Sequence, residues 1–65
     1  MSKKIAFFLQ TLAGGGAERS VVNLANFYIQ NNIGVDIVLV SAEGQYLKIL
    51  DKRINVINLK KMLKT

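Results

Sequence analysis

Lys4-Ile5-Ala6-Phe7-Phe8-Leu9-Gln10-Thr11-Leu12-Ala13-Gly14-Gly15-Gly16-Ala17-Glu18-Arg19 is the stretch on which the fold turns. Ile5-Ala6-Phe7-Phe8-Leu9 is a short, unpunctuated apolar run, the pattern of a strand buried on both faces of a parallel sheet. Three consecutive glycines follow, and after them come apolar residues at helical spacing. A strand, a glycine turn and a helix N-terminus together suit an anion. Glycine lacks the Cβ that blocks close approach, and the N–H groups of the first helical turn have no partner inside the helix. Gly14, Gly15 and Gly16, with Arg19 in the helix just beyond, are therefore the candidate binding residues.

Outward from this stretch, residues 4–12 are expected as the first strand and residues 13–16 as the turn. A helix is expected from 17 to about 31. Its apolar positions Val21, Leu24, Ala25, Tyr28 and Ile29 form one core-facing stripe, widened by Val22 and Phe27. Glu18 in the first turn complements the positive end of the helix dipole. Asn32 tolerates a left-handed backbone and closes the helix, with Gly34 as a second permissive position. Residues 35–40 (Val-Asp-Ile-Val-Leu-Val) read as the second strand, rich in β-branched side chains. A polar loop over 41–45 leads to a short helical turn over 46–50. Residues 54–59 read as a third strand whose alternation suggests more exposure than the first two, and 60–65 as a basic tail.

The order β-α-β-short α-β predicts an α/β fold: a partial Rossmann-like parallel sheet with spatial order 3-2-1, in a single unit over 1–65. A fourth strand would complete such a sheet beside strand one, so that flank is expected to be free. A free strand edge exposes unpaired backbone groups and favours self-association.

Composition removes several chemistries. The 65 residues include no cysteine and no histidine, so disulfides, thiolate nucleophiles and imidazole bases are excluded, and no metal site is expected. Hydrophobic residues make up 51% and charged residues 20%, which argues against disorder. A domain this small buries only roughly 60% of the surface of its unfolded chain, so its stability is marginal. No apolar run approaches the roughly 20 residues of a membrane span. Met1-Ser2-Lys3-Lys4 precedes an apolar run but leads to a glycine turn rather than a cleavage site, so it is not read as a signal peptide.

The net charge of +5 is unevenly placed. Residues 1–47 balance. Residues 48–65 carry Lys48, Lys52, Arg53, Lys60, Lys61 and Lys64 against Asp51 alone. No aromatic side chain interleaves these cations, so no nucleic acid is expected as a partner. A solvated basic face is the plain reading. An anionic membrane surface contacted through the 48–65 segment, with Leu59, Met62 and Leu63 as its apolar side, is the alternative.

Lys4-Ile5-Ala6-Phe7-Phe8-Leu9, Gly15-Gly16-Ala17-Glu18-Arg19, Leu24-Ala25-Asn26 and Val35-Asp36-Ile37-Val38-Leu39-Val40 together resemble the amino terminus of family 4 glycosyltransferases. Glu43-Gly44-Gln45-Tyr46-Leu47 is similar to the family's loop after strand two. The resemblance runs to about Leu59. It implies a retaining enzyme of GT-B architecture, in which two Rossmann-like domains face a cleft, and makes this chain the first half of the N-terminal domain. It further implies transfer of a sugar from a nucleotide-sugar donor, a co-substrate rather than a bound cofactor, to a glycan or lipid-linked acceptor.

In that family the glycine loop approaches the donor diphosphate, a role that falls to Gly15 and Gly16 with Gly14 giving slack. The implied setting is cytoplasmic, peripheral to the inner face of a membrane. Donor recognition and the paired-glutamate motif belong to a C-terminal domain, so the catalytic residues are unknown here and the 65 residues alone are expected to be inactive. Two departures stand out: Gln10-Thr11 where members often carry proline, and Asn32-Ile33-Gly34-Val35 where they often carry Gly-His-Glu-Val.

A dinucleotide-binding Rossmann unit is the rival enzyme reading. Its Gly-x-Gly-x-x-Gly/Ala fingerprint, started at Gly14, ends on Arg19 and fails. A P-loop lacks its Gly-Lys-Ser/Thr ending. A basic module that binds a membrane surface without catalysis is the alternative outside enzymes.

Overall fold

The computed structural model describes residues 3–62. Strand β1 (Lys3–Leu9) leads to helix α1 (Gly16–Gln30), strand β2 (Ile33–Leu39), a 3-10 turn (Gln45–Ile49), strand β3 (Asn55–Asn58) and a single helical turn, α2 (Leu59–Met62). The three strands form one parallel sheet in the order β1-β2-β3. The fold is thus α/β with the expected spatial order, and the flank of β1 pairs with no described strand. Asn32 takes φ 64 at the end of α1, the left-handed turn its side chain tolerates.

β1 and β2 pair in register from Lys3↔Ile33 to Leu9↔Leu39. Side chains alternate across a strand, so Ile5, Phe7 and Leu9 share a face with Val35, Ile37 and Leu39. On that face α1 delivers Val22, Ala25 and Ile29, and together with Leu12 and Ile54 these residues make the core. Phe7 stacks on Tyr28 at 6.5 Å between ring centroids. The opposite face carries Lys4, Ala6, Phe8, Asp36, Val38, Asn55 and Ile57. Asp36 is tied there to Lys4 at 3.2 Å and accepts a hydrogen bond from Asn55 Nδ2 at 3.3 Å.

Several sequence expectations need correction. β1 is not buried on both faces: Phe8 is 74% exposed. The buried position belongs to β2, because among the described strands β2 alone has a strand on each side and its residues 35, 37 and 39 sit under α1. β1 is also more exposed than β3, the reverse of the expected ranking. β1 ends at Leu9, yet Leu12 beyond it is fully buried. The helix begins one residue early, at Gly16, and its core stripe is centred on Val22, Ala25 and Ile29, while Leu24 and Phe27 face outward. β2 starts at Ile33 and ends at Leu39, and β3 is shorter than expected at both ends. The basic tail begins as α2, and its residues 63–65 lie outside the described part.

Candidate functional site at the carboxyl edge

Parallel strands put all their carboxyl ends at one edge, and the loops there are stitched together by backbone hydrogen bonds. The Val40 N–H donates to the Leu9 carbonyl and the Ser41 N–H to the Gln10 carbonyl, each at 3.0 Å, which carries the β1–β2 pairing past the strand ends. Leu12 then drops into the core. Its N–H donates to the Glu43 carbonyl at 2.9 Å, and its carbonyl accepts from the Tyr46 N–H at 3.1 Å. Both backbone groups of this buried residue are thus satisfied by the loop after β2, as burial demands.

Gly44 makes that stapling possible. It has φ 123 and ψ 153, a region almost closed to residues with a side chain. A Cβ there would overlap the Leu12 carbonyl carbon and the Ala13 nitrogen.

With Leu12 anchored, Ala13, Gly14, Gly15 and Gly16 emerge exposed between β1 and α1. Gly14 has φ 41 and Gly15 has φ 118. Gly15 is the N-cap of α1 and supplies no side-chain hydrogen bond to the first turn; its carbonyl accepts from the Arg19 N–H at 3.3 Å. Glu18 folds back so that its Oε1 lies 2.6 Å from where a Gly15 Cβ would stand. Gly16 differs from the two glycines before it: its φ is not positive, and nothing lies within 4 Å of where its Cβ would be.

All four sequence candidates, Gly14, Gly15, Gly16 and Arg19, lie together and exposed at the β1–α1 junction on the carboxyl edge. The sequence did not single out Gln45, whose Nε2 comes within 3.9 Å of the Gly14 Cβ position. Its place after Gly44 was the available signal. Ser41 Oγ donates to Glu43 Oε2 at 2.9 Å, which occupies the hydroxyl at the end of β2. Thr11 Oγ1 accepts from the Ala13 N–H at 3.3 Å and tightens the entry to the glycines.

First-turn amides and the positive end of the helix dipole are the features of this junction that suit an anion. Arg19 adds a cation, while the Glu18 carboxylate opposes an incoming anion until its side chain swings away. Among the described residues, no group of three His, Cys, Asp or Glu side chains stands close enough to hold a metal ion, and no helix is long and apolar enough to cross a membrane.

The clearest shifted acid lies outside this site, in the turn before β3. Asp51 is lowered from 3.8 to about 2, first by hydrogen bonds from the Arg53 side chain and then by the Arg53 backbone N–H; Arg53 is raised in turn. Comparison of the chain with protein-family models, curated proteins and solved structures finds no match.

Proposed function

We propose that the chain is the amino-terminal part of a retaining glycosyltransferase, the first half of a Rossmann-like domain of GT-B type, and that its glycine loop takes the phosphates of a nucleotide-sugar. The β1-β2-β3 order and the exposed loop at the carboxyl edge support this reading, because ligands of open α/β sheets bind outside that edge.

One observation carries most of the weight. Gly16 has no internal reason to be glycine: its backbone is ordinary and its Cβ direction is empty. A glycine the fold does not require, at a helix N-terminus, is explained by close approach of something from outside. In this reading the amides from Gly15 to Ala17 receive phosphate oxygens, Arg19 pairs with their charge, and Glu18 rotates out. The acceptor is a glycan or lipid-linked molecule, and the second domain supplies the catalytic groups.

The test is amide chemical-shift mapping on the labelled chain with millimolar UDP-glucose, GDP-mannose and NAD as separate probes. The expected result is movement of the Gly15, Gly16 and Ala17 signals with the sugar nucleotides, lost in a Gly16→Val variant that keeps the other signals in place. Preference for NAD, or glycine amides that ignore all three probes, defeats the proposal. Gly16 is the better variant than Gly15, because Gly15→Val adds backbone strain at φ 118 and confounds ligand crowding with loop distortion.

A further inference from the structure

A groove of about 610 Å³ lies away from the glycine loop, lined by Val56, Ile57, Asn58, Lys61 and Met62. Three consecutive strand residues cannot all project from one face of a sheet, so the groove runs along the outer edge of β3. That edge pairs with no described strand, since β3 follows β2 at the end of the sheet. Alternate residues of an unpaired edge turn their N–H and C=O groups outward, ready to pair. α2 makes the second wall: Asn58 Oδ1 accepts from the Lys61 N–H at 3.4 Å and caps its first turn, and Met62 is 66% exposed.

The groove thus offers a strand edge, an apolar lining from Val56, Ile57 and Met62, and a cation. No carboxylate pairs with Lys60 or Lys61 among the described residues, and Asp51, the one acid in the C-terminal segment, is held by Arg53 at 2.9 Å.

We propose that the β3 edge receives an extended acidic peptide from another polypeptide as an added strand. Backbone hydrogen bonds along β3 hold the peptide, an apolar side chain fills the space beside Ile57 and Met62, and a carboxylate meets Lys61. Charge selects this occupant over a second copy of the chain. Two copies joined antiparallel about Val56 and Ile57 would set Lys60 and Lys61 of each opposite Arg53 and Lys52 of the other, and like charges across an interface are costly. The inference is independent of sugar transfer, because the sheet that reading implies grows beside β1 and leaves β3 as its edge.

The experiment maps amide shifts in the labelled chain on addition of a synthetic ten-residue peptide alternating valine and glutamate. Two companion peptides carry backbone N-methylation at alternate residues, or lysine in place of glutamate. The expected result is movement of the signals of Val56, Ile57, Asn58 and Lys61 with the first peptide only. Lys61→Glu weakens that binding by at least about fivefold, while Lys48→Glu, on the 3-10 turn, changes it less than about twofold. Shifts confined to β1, equal binding of the N-methylated or lysine peptide, no binding at millimolar concentration, or a dimer paired through β3 in the absence of peptide each overturn the proposal.

Discussion

Gly15 and Gly44 are twins in backbone and opposites in surroundings. Both cap a helical segment, at φ 118, ψ 152 and φ 123, ψ 153. Both stand in loops at the carboxyl edge of the sheet. Gly44 is pressed against the Leu12–Ala13 backbone, whereas a side chain at Gly15 would meet only the end of the Glu18 side chain. Gly16, next to Gly15, meets nothing. Glycine therefore serves the fold at Gly44, permits a backbone shape at Gly15, and leaves open space at Gly16. A glycine-rich loop is not by itself a binding loop; what surrounds each Cβ direction separates packing from availability.

Substitutions to alanine sharpen that contrast. Gly44→Ala is the most damaging, because it adds steric overlap with fixed backbone to the conformational strain. A loss of about 3 kcal/mol or more is expected in urea unfolding, a large share of what so small a domain holds. A midpoint close to that of the parent chain would mean the two loops separate readily, and the stapling through Leu12 would lose its importance.

Gly15→Ala carries the strain but overlaps only the end of the Glu18 side chain, which can rotate away, and should cost on the order of 1–3 kcal/mol. Gly16→Ala, at the first helical position, should leave stability within about 0.5 kcal/mol or raise it slightly. Equal losses at Gly15 and Gly44 would break the comparison, and a large loss at Gly16 would remove the case for an external ligand.

The smallest effect concerns the turn before β3. Asp51 titrates lower in the folded chain, about 2, than its ordinary 3.8. Its contribution is therefore fully present above pH 3.8 and fades as the pH falls through 2. Asp51→Asn should flatten the stability profile across that interval and leave the neutral-pH loops at the carboxyl edge untouched. An unchanged acid slope in the variant would show that the Arg53 contact does not couple to folding.

Much of this was legible in the residues, for reasons that differ by element. The break at Asn32 and Gly34 and the β-branched run before Ser41 gave the β-α-β order, since turn chemistry and strand propensity act over a few residues. The exposed glycine loop followed from the same local logic. The stripe on α1 did not. Val21, Val22, Leu24, Ala25, Phe27, Tyr28 and Ile29 cover a wide apolar arc, and spacing alone does not say which part of it meets the sheet. Packing against β2 chose Val22, Ala25 and Ile29.

The β-α-β chain order was thus written in the sequence, because turn and strand propensities act between neighbours along the chain, and parallel pairing follows from that order through the crossover rule. The tertiary structure alone decided that β2 rather than β1 is the buried strand, that Leu12 leaves its strand to enter the core, and that Gly44 closes over it. Each of these outcomes depends on which layers meet, and burial is a property of contacts between segments far apart in the chain, which local periodicity does not encode.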